Sequence, residues 1–261
     1  MKKALIIGNG MMGGSLGMAH TKTGKYIVDF VDKNQDLSSV QILGDFCVGS
    51  VFQYFFNRSK ECNANTKYDY IFNCTGHKFD AEQLIKETAI CIDIGSIQYN
   101  NTHNSLIFCH PLCGSEKSGR ENARADLFEN QTCIITTEGK SQELIDLAIE
   151  VFNDIGMIVH LCDTVEEHNR NLAYTSHLLH YLAFNGFADL HPVLERLSHS
   201  NKEMWEAIFK ANKKNIDEVL LKFTYNLALC FHNQGIQASI RELVKDIPEH
   251  FYGTALKQLL K

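Results

Sequence analysis

The sequence predicts an α/β protein in two parts, a doubly wound, mainly parallel sheet in residues 1–162 and an all-helical second domain in residues 163–261. Short β-rich runs alternate with polar or amphipathic segments as far as Cys162, the pattern of repeated βαβ units. The strand signal then stops, and from Thr164 onward helical periodicity runs with few breakers. The length of 261 residues also exceeds the usual size of one domain.

The elements follow in order. Residues 3–7 read as a first strand, because the apolar run after Met1-Lys2 is too short for a signal peptide before the glycines begin. Gly8-Asn9-Gly10-Met11-Met12-Gly13 then fits the GxGxxG pattern, with a helix expected over 15–22. Gly8 allows the tight turn, Gly10 lets backbone approach a pyrophosphate, and Gly13 allows close helix packing; Met11 and Met12 lie between them, where a helix start supplies donors and positive potential. A second strand over 26–31 delivers Asp32 at about the 20-residue distance of the acid that binds a ribose 2′-hydroxyl. A carboxylate there repels a 2′-phosphate, so the expected cofactor is NAD and the first domain is of the Rossmann type. The competing reading is a generic turn with an Asp cap.

Further strands are expected over 70–74, 89–94, 106–109, 132–136 and 158–162, with a helix over 141–155 whose Leu144, Ile145, Leu147, Ala148, Val151 and Phe152 recur at helical spacing. Ser96, in Asp93-Ile94-Gly95-Ser96-Ile97, follows the fourth strand and is placed to contact nicotinamide or substrate, although Gly-Ser is also common turn chemistry. The run His110-Pro111-Leu112-Cys113-Gly114-Ser115-Glu116-Lys117-Ser118-Gly119 follows the fifth. Ligands of open α/β sheets bind outside the carboxyl ends of the strands. A histidine there suits proton abstraction as hydride departs; the alternative is a histidine bonded within a turn before Pro111.

Composition excludes several classes. Hydrophobic residues make up 44% and charged residues 21%, ordinary for a globular protein. A net charge of -6 and the lack of a basic run argue against nucleic acid as partner. No apolar segment approaches the ~20 residues that span a bilayer. The nine cysteines lack the paired spacing of a metal site, which leaves reduced, core-filling thiols (Cys74, Cys91, Cys109, Cys133, Cys162) in a cytoplasmic protein. In the helical half His177 and His180 fall on neighbouring turns with Ala173 and Phe184 on the same face. Arg196 suits bidentate carboxylate binding, and Trp205 follows nine residues later.

Taken together and in order, these segments resemble the prephenate/arogenate (cyclohexadienyl) dehydrogenase family of tyrosine biosynthesis, from Gly8 to about Asn212. The run from His110 to Gly119 is the most specific part. The resemblance implies NAD-dependent oxidative decarboxylation of a cyclohexadienyl substrate, with His110 as base on the C4 hydroxyl and Ser96 placing the hydroxyl and nicotinamide. His180 and Arg196 match substrate-binding positions, and Glu116 and Trp205 match positions near the pocket entrance. It also implies a homodimer paired through helical domains, with tyrosine as a candidate inhibitor, and the small second domain is expected to have little core of its own. Three features depart from the family pattern: Leu179 for a frequent Pro, Gln98 for a Lys, and Leu190-His191-Pro192-Val193-Leu194-Glu195 for a Gly-rich loop. The small-molecule substrate is prephenate on the leading reading and arogenate on the next, and no residue named here separates them. A nucleotide-binding protein without catalysis, and a β-hydroxy-acid dehydrogenase using a helical lysine, are the readings from other classes.

Overall fold

The structure is a computed structural model that describes residues 1–32, 68–76, 89–114, 117–229, 235–252 and 254–260. The chain divides into two compact units, Met1–Pro111 with Ser118–Leu161, and Leu112–Lys117 with Cys162–Lys261. The stretch Leu112–Lys117 thus groups with the helical part, where the sequence suggested one cut after Cys162. The ladder of β5 with β6 reaches Pro111, the residue before this stretch.

The first unit is built on a seven-stranded sheet: β1 Lys2–Ile7, β2 Tyr26–Val31, β3 Tyr70–Asn73, β4 Ile90–Asp93, β5 Leu106–Pro111, β6 Thr132–Thr136 and β7 Ile158–Cys162. Their order is β2-β1-β3-β4-β5-β6-β7. The ladders joining β2, β1, β3, β4 and β5 are parallel, and β6 pairs antiparallel to β5. The chain steps from β1 to β2 on one side and resumes at β3 on the other, so the order reverses between β1 and β3. Such a reversal opens a crevice at the carboxyl ends of the strands. The central strands are buried on both faces, with Ile6, Phe72, Ile92 and Ile107 fully covered, as parallel strands require.

Two boundaries differ from the sequence expectation. β5 continues through His110 and Pro111, because β6 pairs with both, His110 with Ile134 and Pro111 with Cys133. Helix α1 spans Met11–Lys22, not 15–22, with Gly10 as its N-cap; the glycines that lower helix propensity sit where close packing needs them. Helix α2, Gln142–Asn153, starts where Ser141 Oγ accepts the Leu144 N–H at 3.3 Å, a side-chain N-cap.

The second unit is helical. Helix α3, Val165–Leu172, is capped by Thr164, whose Oγ1 accepts the Glu167 N–H at 3.1 Å. The chain then passes through a π turn at Ala173–His177, helix α4 at Leu178–Leu182, and a second π turn at Ala183–Phe187. Gly186 adopts φ 91° there and breaks the helix. Helices α5 Pro192–Ser198, α6 Lys202–Ala211, α7 Lys213–Leu229, α8 Gly235–Val244 and α9 Thr254–Leu259 follow. The expectation of little internal core is corrected: Leu178, Leu179 and Leu182 are buried in one cluster with Leu194, Val219 and Ile240. Leu179, which departs from the family pattern, is fully covered there. The helices fold back on one another and supply this core from within the unit.

Candidate functional site

The glycine turn is built at the end of β1. Gly8 turns with φ +95°, and a Cβ on it would stand 3.0 Å from the Cys74 carbonyl; both the conformation and the approach favour glycine. A Cβ on Gly13 would lie 1.8 Å from the Gly8 carbonyl oxygen, so the first turn of α1 packs directly on the loop. Around Gly10, by contrast, a Cβ would meet nothing within 4 Å. The protein leaves space there, and no side chain caps the helix start. An uncapped helix N-terminus behind an open glycine turn suits a pyrophosphate, so the residues fit a dinucleotide. Asp32 Oδ2 accepts the Asn9 N–H at 2.6 Å; the acid expected on the ribose also clamps the glycine loop.

Ser96 and His110 belong to the same unit. Because Phe108 is registered with Asp93 on one side and Thr136 on the other, and side chains two apart share a face, His110 lies on the sheet face of Phe108, Asp93 and Thr136. The residue is 9% exposed. Ser96 is half-buried in the bend after β4. That bend is held from two sides. Asp93 Oδ1 accepts the Gly95 N–H at 2.8 Å, and Thr136 Oγ1 donates to Gln98 Oε1 at 2.5 Å. Gln98, the departure from the family lysine, is therefore a buried tether.

Sequence reasoning missed Asp93 as a centre in its own right. Its Oδ2 also accepts Asn73 Nδ2–H at 2.9 Å and the Tyr99 hydroxyl at 3.3 Å. Burial pushes its pKa up to about 6, and the three bonds hold it from rising further. The signal was an acid closing a buried strand before Gly-Ser; of its partners, Tyr99 lies in the following loop but Asn73 is on a different strand.

In the helical unit His180, Arg196 and Trp205 come together. The Trp205 indole stacks on His180. His180 Nδ1 donates to the Ser176 carbonyl at 3.1 Å, a tautomer assigned from that partner, which leaves Nε2 as an acceptor. Burial pushes the His180 pKa down to about 4, the Ser176 bond opposes this, and the Arg196 charge lowers it further. Arg196 Nη2 also reaches Gln258 Oε1 at 3.4 Å. His177, in the π turn, is set differently: its Nδ1 accepts from Asn212 Nδ2 at 3.0 Å, and Asn212 Nδ2 also donates to the Asn169 carbonyl at 2.8 Å. Burial, with His180 and His168 nearby, pushes the His177 pKa down to about 3. Glu116 lies outside the described residues. Cys74, Cys91, Cys109, Cys133 and Cys162 are not joined in disulfides. Among the described residues no helix is long and apolar enough to cross a membrane.

The doubly wound sheet and its glycine turn define a nucleotide-binding α/β protein of the Rossmann type. Residues 79–161 match the sequence profile of the family described as prephenate dehydrogenase, nucleotide-binding domain. The prephenate dehydrogenase of Lactococcus lactis subsp. cremoris is 29% identical over 160 residues, 51% of this chain and 44% of that protein. The cyclohexadienyl dehydrogenase of Zymomonas mobilis subsp. mobilis is 31% identical over 113 residues, 40% of this chain and 38% of that protein. The aligned stretches thus span under half the length of these curated relatives. In fold, the chain is similar to the crystal structure of prephenate dehydrogenase from A. aeolicus in complex with hydroxyphenyl propionate and NAD+, with TM-score 0.69, 22% identity and 95% of each chain covered. Over these stretches the chain is similar to the prephenate dehydrogenase family.

Proposed function

We propose that the protein is an NAD-dependent prephenate dehydrogenase that converts prephenate to 4-hydroxyphenylpyruvate and carbon dioxide. The observation that carries this reading is His110, held on a buried strand of the sheet that also bears the glycine turn and the Ser96 bend. NAD, when bound at Gly8, Gly10, Met11, Met12, Gly13 and Asp32, supplies the acceptor for the hydride leaving ring C4. His110 takes the proton of the C4 hydroxyl, so that the C4–O electrons are free to form the carbonyl as hydride departs. Ser96 orients that hydroxyl. Loss of the ring carboxylate as carbon dioxide aromatises the product and makes the step irreversible.

The helical residues bind and orient. Arg196 pairs with a substrate carboxylate. His180, kept neutral by burial, accepts a hydrogen bond through Nε2 without adding charge, and Trp205 excludes water from its ring. Glu116 is assigned to the pocket entrance. The working form is a homodimer joined through the helical unit, where Leu221 and Tyr225 of α7 are 75% and 64% exposed, and tyrosine is assigned as a competitor of substrate.

The second reading, arogenate as substrate, rests on the cyclohexadienyl dehydrogenase relative, because the two substrates differ only in the side chain. The test is formation of reduced nicotinamide from each substrate with NAD and with NADP. A higher kcat/KM for prephenate with NAD is expected; a preference for arogenate moves the assignment to the second reading, and turnover of neither ends both.

A further inference from the structure

A buried carboxylate that accepts three hydrogen bonds from two segments, the end of β3 and the stretch after β4, does more than fill a core. Asp93 is 2% exposed and accepts from the Gly95 N–H, from Asn73 Nδ2 and from the Tyr99 hydroxyl. Each partner leads to a different part of the chemistry. Gly95 precedes Ser96, and a Cβ on Gly95 would stand 3.0 Å from Asp93 Oδ1, so the bend is fitted to the carboxylate. Asn73 Oδ1 in turn accepts from Thr75 N at 3.2 Å and Thr75 Oγ1 at 2.7 Å. That places the loop after β3 against the glycine turn, where the Cys74 carbonyl is the nearest neighbour of Gly8. Tyr99 meets Phe108 edge to face, ring centroids 4.9 Å apart, on the strand that carries His110 two residues on.

We propose that Asp93 is a positioning residue that sets the Ser96 bend in register with the cofactor's glycine turn and with the strand of His110. The proposal rests on the reading of the protein as a hydride-transferring dehydrogenase. Burying a carboxylate is costly unless its bonds are satisfied, and an apolar residue would fill the same volume without that cost. What an apolar residue cannot do is accept bonds from the end of β3 and from both ends of the 95–99 stretch at once. A misplacement of about 1 Å at a reacting centre costs on the order of 100-fold in rate, which is the scale such a clamp protects.

The test exploits the pairing of Asp93 with Asn73. Asp93→Asn places an amide donor against the Asn73 donor. The double variant Asp93→Asn with Asn73→Asp restores donor to acceptor and leaves Asn73's other bonds to Thr75 available. The wild type is first assayed with prephenate and arogenate. The expected result is a fall in kcat of about 10–100-fold in Asp93→Asn, with NAD Kd within about 3-fold and kcat largely regained in the double variant. Hydrogen exchange over residues 94–99 should rise in the single variant and return in the double. Unchanged kcat, or a loss that the swap does not recover and that accompanies faster exchange across the whole sheet, overturns the proposal. A wild type that turns over neither substrate ends the functional reading instead, and exchange over 94–99 then decides the positioning role by itself. Should Asp93→Asn fail to fold, Tyr99→Phe removes one bond only; unaltered kcat and exchange in that variant also overturn the proposal.

Discussion

The indole of Trp205 lies on the imidazole of His180, ring centroids 3.4 Å apart and planes 18° from parallel. Asn201 makes this placement by capping α6, its Oδ1 accepting the Met204 N–H at 2.9 Å, which starts the helix one turn before the indole. The stack shields one face of the imidazole, and the bond from Nδ1 to the Ser176 carbonyl fixes its plane. The result is a neutral, oriented imidazole whose Nε2 is left as an acceptor.

Trp205→Ala should let water reach the ring and raise the His180 pKa from about 4 toward the ordinary 6.5. Histidine ring signals followed by NMR across pH 3 to 8 measure this, as an order-of-magnitude window around those values. Trp205→Phe keeps an aromatic cover and should shift the value less. A His180 titration unmoved by Trp205→Ala would show that other walls of the pocket keep water out.

His110→Asn should lower kcat about 10²–10⁴-fold with little change in KM, the scale of a positioned base. Asn keeps the size and some hydrogen bonding but cannot take the proton. Steady-state kinetics near neutral pH read the effect, and an unchanged kcat removes His110 from proton transfer.

Arg196→Ala should chiefly raise KM for a carboxylate-bearing substrate, by about 10-fold or more for a lost charge-assisted pair. kcat should fall far less. An unaltered KM would mean that Arg196 serves α5 and its contact with Gln258 rather than substrate.

Most of this fold is written in local pattern. The strands at Tyr26–Val31, Thr132–Thr136 and Ile158–Cys162 begin and end where apolar β-rich runs do, and Thr164 caps its helix by a bond formed three residues on. Features set by distant partners were not legible. β5 gains His110 and Pro111 because β6, more than twenty residues later, pairs with them. The π turns around His177 shift the helical phase in a way that the spacing of apolar residues does not encode. The Asp93 cluster joins residues from the ends of two strands and a following loop, and only the folded sheet brings them to one point.

The glycine turn offers a contrast between two substitutions. At Gly13 an added methyl would stand 1.8 Å from the Gly8 carbonyl oxygen, a backbone atom that cannot swing aside. Gly13→Ala should therefore lose about 1–3 kcal/mol of stability by overpacking and weaken cofactor binding as well. At Gly10 nothing lies within 4 Å, so Gly10→Ala should leave Tm unaltered and still weaken NAD by filling the pyrophosphate space. Thermal unfolding and titration of NADH fluorescence separate the two; equal NAD affinity in Gly10→Ala would place the phosphates elsewhere.

Acid should destabilise the protein through its buried histidines. Burial pushes His20, His168 and His180 down to about 4 and His177 to about 3, while an unfolded histidine titrates near 6.5. Between these limits the unfolded chain binds more protons than the native one, so stability rises with pH through the window. It is fully present above about pH 6.5 and is lost as pH falls toward 4. Asp93 acts oppositely, since its carboxyl is raised to about 6 and the native state takes up its proton first; one such group offsets only part of four. Tm should therefore fall steadily from pH 7 to pH 4.5, values chosen as about the edges of that window. His20 is the simplest ring to isolate, because it packs between Tyr26 and Phe72 with neither ring nitrogen bonded. His20→Phe removes its titration and keeps an aromatic ring, so the slope of Tm against pH should become shallower below pH 6.5. An identical slope in that variant would assign the acid sensitivity to the helical unit alone.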